Sequence, residues 1–210
     1  GAKVVCDCDA RAAAAGVGSG MALNSALALQ PELRALPRDP RRERGLLEAV
    51  AGLALGYTPR VNLEPPDGVL LEVRGSLRLF GGARQLCDLL RRQLQSRGLE
   101  PRIALTPTPL ASLWFARAGE EVALGRPDAL PSRLAPLPLA ATRWPERTLQ
   151  ALTTMGVRSV GECLRLPRDG LARRFEPRLR LDLDRALGKA HDPRAAHVAA
   201  GRFVARRDLE

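Results

Sequence analysis

Two short apolar runs, 61–64 and 69–73, are joined by Pro65-Pro66-Asp67-Gly68. Proline presets φ, and Asp and Gly tolerate tight turns, so the stretch predicts a β-hairpin. A half-buried hairpin needs a helical or second β layer over its apolar face, which rules out a purely helical chain. Two carboxylates fall on it. Asp67 sits at the turn, and Glu72 interrupts the apolar run Val69-Leu70-Leu71-Val73. Acids on a small sheet are what metal-dependent phosphoryl transfer uses, but that chemistry clusters more of them.

Elements of alternating type surround the hairpin. Leu46, Leu47, Val50, Leu53 and Ala54 recur at helical spacing in a helix over 41–55. After Gly81-Gly82, Leu86, Leu89, Leu90 and Leu94 line the inner face of a second helix, which Gly98 stops. Residues 101–105 read as a strand, and Pro109 opens a helix over 110–117. Residues 57–118 thus read β-β-α-β-α. With one more strand before residue 1, this is a split βαβ layer in an α+β chain. Upstream, 3–8 is short and β-like, Asp9 caps a helix over 11–15, and Gly16-Val-Gly-Ser-Gly20 is a turn with no P-loop lysine after it.

A proline-rich segment, 126–140, ends this layer. Helices over 145–155 and 160–166 then flank Gly156-Val-Arg-Ser159, which predicts a helix-hairpin-helix. Such a turn can aim backbone N–H groups at a phosphate. Gly156, Val157, Arg158, Ser159 and Gly161, with Arg173 and Arg174 on the next helix, are the candidate DNA contacts. Charge supports a polyanionic partner. The net charge is +10, and from residue 143 onward there are 15 basic against 9 acidic residues. The four cysteines and two histidines lack zinc-site spacing, so no metal or other cofactor is expected from them. No apolar run is long enough to span a bilayer, and no signal peptide is visible, so a cytoplasmic protein is expected.

The order of these segments resembles the Y-family translesion DNA polymerases (the DinB/UmuC-like superfamily). Gly16-Val-Gly-Ser-Gly-Met21, Ala28 to Pro31, the 63–82 hairpin, Ala104-Leu-Thr-Pro-Thr-Pro-Leu-Ala111 and the Gly156 hairpin carry the likeness. It is strongest to the ImuB branch of catalytically degenerate, polymerase-like mutagenesis proteins. The resemblance implies small fingers over 1–56, truncated at the N-terminus, and a ferredoxin-like palm over 57–125. It implies an all-helical thumb over 126–192 and a linker over 193–210 toward a little finger. On this view the first palm strand and the little finger are missing, and 202–206 begins the next domain.

Within that likeness, active members carry an Asp-Glu pair where this chain has Asp67-Gly68, and Glu72 is not part of the pair. Their triphosphate-binding Tyr and Arg correspond to Ala10 and Ala13. Their Lys before the last palm helix corresponds to Pro109. A polyanionic transition state needs such cations. The expected function is a non-catalytic DNA- and protein-binding adaptor in SOS-induced translesion synthesis and DNA repair, bacterial and nucleoid-associated when bound to DNA. By resemblance its partners are DNA, an ImuA-type RecA-like protein, an error-prone C-family polymerase and the sliding clamp, reached through segments beyond residue 210. Two alternatives stand beside this reading: an active polymerase using Mg2+, and a protein scaffold without DNA contact.

Overall fold

A computed structural model describes residues 3–197. The chain divides into two compact units, 1–43 and 44–210. The expected strand over 202–206 lies outside the described residues.

In the first unit, α1 (Ala10–Ala14) starts where Asp9 Oδ1 accepts the Ala12 N–H at 2.8 Å. α2 (Leu23–Leu29) follows the glycine turn, in which Gly16 and Gly20 take φ of +88° and +84°. The β-like segment 3–8 forms no strand. It makes one isolated bridge, Val4 to Ala22, supported by Val5 N–H to Met21 O at 2.8 Å. The chain opposite comes out of the turn at Gly20 and enters α2 at Leu23, so no ladder grows. The core here is small: Ala12, Val17 and Ala26 are its buried hydrophobic members.

α3 (Pro40–Ala54) runs across the division and buries Leu47, Ala51 and Ala54. β1 (Val61–Glu64) and β2 (Gly68–Leu71) then form the predicted hairpin, antiparallel, with Val61 opposite Leu71 and Glu64 opposite Gly68. α4 (Ala83–Gln95) buries Leu86 and Leu94 and ends before Gly98 at φ +74°. Among the described residues the sheet has two strands. The third expected strand, 101–105, is not one. Pro101 has no N–H to donate, and only Leu105 finds a β partner, bridging Ala123 through Leu105 N–H to Val122 O and Leu124 N–H to Leu105 O, both 2.8 Å.

α5 (Pro109–Ala118) is capped by Thr108, with Pro109 in its first turn and Gly119 at φ +79° after it. It is the central helix of the larger unit, with Leu110, Ala111, Leu113, Trp114 and Phe115 all buried. The proline-rich segment is structured rather than a loose connector. It holds α6 (Leu130–Leu134) and a 3-10 turn at Leu139–Thr142, both buried against the same core. α7 (Glu146–Thr154) and α8 (Val160–Arg165) are the predicted helix pair. After α8 the chain forms α9 (Arg168–Arg174), leaves the helix at Phe175 and restarts as α10 (Pro177–Ala186). Pro177 disfavours helical geometry in the residue before it and is at home in a first turn.

A single hydrophobic core therefore joins Leu70 of β2, α5, α6, α8 and α10. Trp114 and Trp144 meet in it edge to face, ring centroids 5.8 Å apart. Trp144 Nε1–H donates to buried Asp182 at 3.1 Å, and burial pushes the Asp182 carboxyl above its ordinary pKa. The segment read as a plain linker is docked. His197 N–H donates to Val61 O at 2.7 Å, and Arg194 bridges Glu64 and Asp192, so 192–197 lies along the outer edge of β1. No helix among the described residues is long and apolar enough to cross a membrane.

Candidate functional site

Two places carry the chemistry that the sequence pointed to. At the hairpin turn, Asp67 is held by two arginines from distant parts of the chain. Arg117 Nη2, on the last turn of α5, reaches Asp67 Oδ1 at 3.2 Å. Arg143 Nη2 reaches Oδ2 at 2.8 Å. Arg117 is largely buried, with 14% of its side chain exposed. Arg143 ends the 139–142 turn in the left-handed region, φ +54°, a backbone strain of about 1–3 kcal/mol for a non-glycine residue. Both carboxylate oxygens are thus engaged by guanidinium groups.

The other acids do not join Asp67. Glu72 follows the last residue of β2, whereas Asp67 precedes the first, so the length of the strand separates them. Glu72 accepts the Arg74 N–H at 3.0 Å and lies 3.9 Å from Arg60. Gly68, at the place the resemblance gives to the second acid, is tight for a side chain. A Cβ there would meet Leu113 Cδ2 at 3.0 Å and Glu64 Cβ at 3.1 Å. Among the described residues no three His, Cys, Asp or Glu side chains are grouped to hold a metal ion. This donor set does not fit a pair of divalent cations. Ala10 and Ala13 are exposed on α1, and Pro109 is half-buried at the start of α5. None of the three offers a cation or hydroxyl to a triphosphate.

The second place is the α7–α8 turn. Gly156 is exposed at φ +81°, as the tight turn requires, and Arg158 is exposed beside it. The backbone N–H groups, however, are already taken. Those of Gly156 and Val157 donate to Thr153 O and Leu152 O, both at 2.9 Å. Those of Arg158 and Ser159 donate to Glu162 Oε2 at 2.6 and 3.1 Å. Those of Val160 and Gly161 donate to Leu137 O at 2.9 Å and Ala135 O at 3.0 Å. Ser159 and Glu162 form a reciprocal capping box, and the two backbone N–H groups hold the Glu162 carboxyl below its ordinary pKa. Val157 and Gly161 are buried, and a Cβ on Gly161 would press into Ala135 at 2.7 Å. These two are packing residues here, while Arg158, Arg173 and Arg174 present exposed side chains. Arg174 is brought to the turn, its Nη1 lying 3.9 Å from Met155 Sδ.

Sequence reading missed Arg117 and Arg143, because nothing in the local pattern marks an arginine for a carboxylate 50 or more residues away. It passed over Glu162 although Ser159-x-x-Glu162 is a visible capping signature.

The chain is 36% identical over 174 residues to Protein ImuB of Caulobacter vibrioides (strain NA1000 / CB15N), covering 82% of this chain and 38% of that protein. The chain thus spans well under half of this relative's length. Among solved structures it resembles a DinB family error-prone DNA polymerase from Sulfolobus solfataricus, with TM-score 0.72 and 15% identity over 91% of this chain and 60% of that one. It also resembles an insertion ternary complex of Dbh DNA polymerase, with TM-score 0.70 and 15% identity over 91% of this chain and 58% of that one. These two establish a Y-family polymerase-like fold. The impB/mucB/samB family profile matches residues 1–116, and with that match over more than half its length the chain belongs to the impB/mucB/samB family.

Proposed function

We propose that this chain is the core of a Y-family polymerase-like protein of DNA damage tolerance that holds DNA and partner proteins and does not add nucleotides. The observation that carries this is the Arg117–Asp67–Arg143 clasp. Two-metal nucleotidyl transfer needs cations about 3.5–4 Å apart, caged by several carboxylates. A divalent ion at Asp67 would have to displace two guanidinium groups, and it would find Gly68 where a second ligand is needed. The likeness to Protein ImuB of Caulobacter, the branch whose resemblance implies a mutagenesis role, supports this reading. Partners of the kinds the resemblance implies, an ImuA-type protein, a C-family polymerase and the sliding clamp, belong to this same proposal.

DNA would be held by arginine side chains at the α7–α9 end. Gly156 would contribute a close approach rather than a free N–H. Primer extension by the full-length protein with Mg2+ or Mn2+ tests the catalytic half of the proposal. No templated incorporation is expected. Incorporation that Asp67→Ala abolishes would establish the active-polymerase reading instead. Salt dependence tests the other half. If several phosphates are neutralised, DNA affinity falls steeply with ionic strength. A protein with no measurable DNA affinity at low salt is a scaffold for proteins alone.

A further inference from the structure

An open, mostly apolar cavity of about 240 Å3 lies beside the α7–α8 turn. Met155, Leu166, Leu171 and Phe175 wall it, Gly170 contributes a bare backbone, and Arg174 is its one charged lining residue. None of these residues takes part in the Asp67 clasp. The cavity is smaller than the roughly 300–1,000 Å3 of small-molecule sites, and it suits one bulky side chain. Its lining side chains give no strong hydrogen-bond acceptor, so a nucleobase there would find no side-chain partner for its N–H donors.

The charge around it is one-sided. Between residues 158 and 180 there are seven arginines against three acids. Two of those acids are occupied, Glu162 by the capping box and Glu176 by Arg147. Arg168 and Arg178 pair with Asp184 and Asp182. Arg158, Arg165, Arg173, Arg174 and Arg180 have no carboxylate within ion-pair distance among the described residues. An apolar socket with a cationic surround is complementary to an apolar anchor on an anionic strand.

We propose that this cavity docks an acidic peptide segment of a partner protein through one bulky apolar or aromatic anchor residue. The anchor buries against Phe175, Leu171 and Met155, and carboxylates beside it meet Arg174 and Arg173. The inference deepens the adaptor reading by naming a partner surface, and it rests on that reading only for its use in the cell.

The test uses a fluorescent peptide of several aspartates ending in phenylalanine, titrated onto the full-length protein by anisotropy. A second peptide replaces the phenylalanine with alanine. Gly170→Leu is the informative variant. Gly170 lines the cavity, and a Cβ on it has only Pro167 nearby, at 3.9 Å, so a larger side chain is accommodated there without strain in α9. The probe is expected to bind the wild type, and to bind about tenfold or more weakly when either the anchor is removed or Gly170→Leu is introduced. DNA affinity of Gly170→Leu should stay at the wild-type value. Equal binding of both peptides, or wild-type binding by a folded Gly170→Leu, overturns the proposal. So does loss of DNA and peptide binding together in that variant, which would assign the cavity to nucleic acid. Templated incorporation in primer extension would sink the adaptor reading while leaving this peptide result to stand or fall by itself.

Discussion

The hairpin turn and the α7–α9 end treat charge in opposite ways. At the turn, one carboxylate meets two arginines and every oxygen is engaged. At the helical end, Glu162 is spent on a cap and Glu176 and Asp184 on single pairs, and a set of arginines is left without carboxylates among the described residues. A charge satisfied inside the molecule is structure. A charge left over is available to a partner. The lesson is that a retained acid in a fold of this kind does not by itself signal retained chemistry, because its partners decide its role.

The comparison breaks most readily at the helical end. Arg173→Glu with Arg174→Glu should weaken DNA binding by tens of fold at moderate salt. It should also flatten the log–log salt dependence by about 2 if each arginine meets one phosphate. Electrophoretic mobility shifts across a salt series would read both, and an unchanged affinity would remove that surface. The middle effect belongs to the turn. Asp67→Ala leaves Arg117, largely buried, without its carboxylate, and should lower stability by about 1–2 kcal/mol in urea unfolding. DNA affinity should stay within about twofold, because both Asp67 oxygens already face arginines of the same chain; a larger change would make the turn part of the interface.

The smallest effect sharpens the contrast within the helical end itself. The Glu162 carboxyl is held below its ordinary pKa by the Arg158 and Ser159 N–H groups. Its stabilising contribution is therefore complete above the ordinary glutamate value of about 4.3, and is lost as pH falls through the depressed value. Glu162→Gln should melt slightly earlier than wild type at neutral pH, with the gap closing as the wild type is acidified below that range. A gap that persists unchanged in acid would mean that the carboxylate's charge does not stabilise the turn.

Much of this was legible in the chain. Pro65-Pro66-Asp67-Gly68 set the hairpin, and Asp9 and Pro109 stand at helix starts. Three features were not. Residues 101–105 have strand composition, but a strand needs a neighbour, and only Leu105 has one. The 192–197 segment looks like a linker because the groups that hold it, Asn62, Glu64 and Val61 O, lie some 130 residues earlier. The glycine turn was read as a donor of N–H groups, yet its donors are consumed by Glu162 and by carbonyls from α7 and the 135–137 segment, and the latter are a tertiary matter.

The edge-to-face pair of Trp114 and Trp144 has a practical corollary. These are the chain's only tryptophans, and they report from one spot in the larger core. Intrinsic fluorescence will follow loosening of α5 from the Leu139–Trp144 corner, including any caused by opening the Asp67 clasp next to it. The first 43 residues contain no tryptophan or tyrosine, so they carry no such reporter of their own. A single sharp fluorescence transition would therefore describe only the larger unit, and the smaller one needs its own label before its stability can be measured.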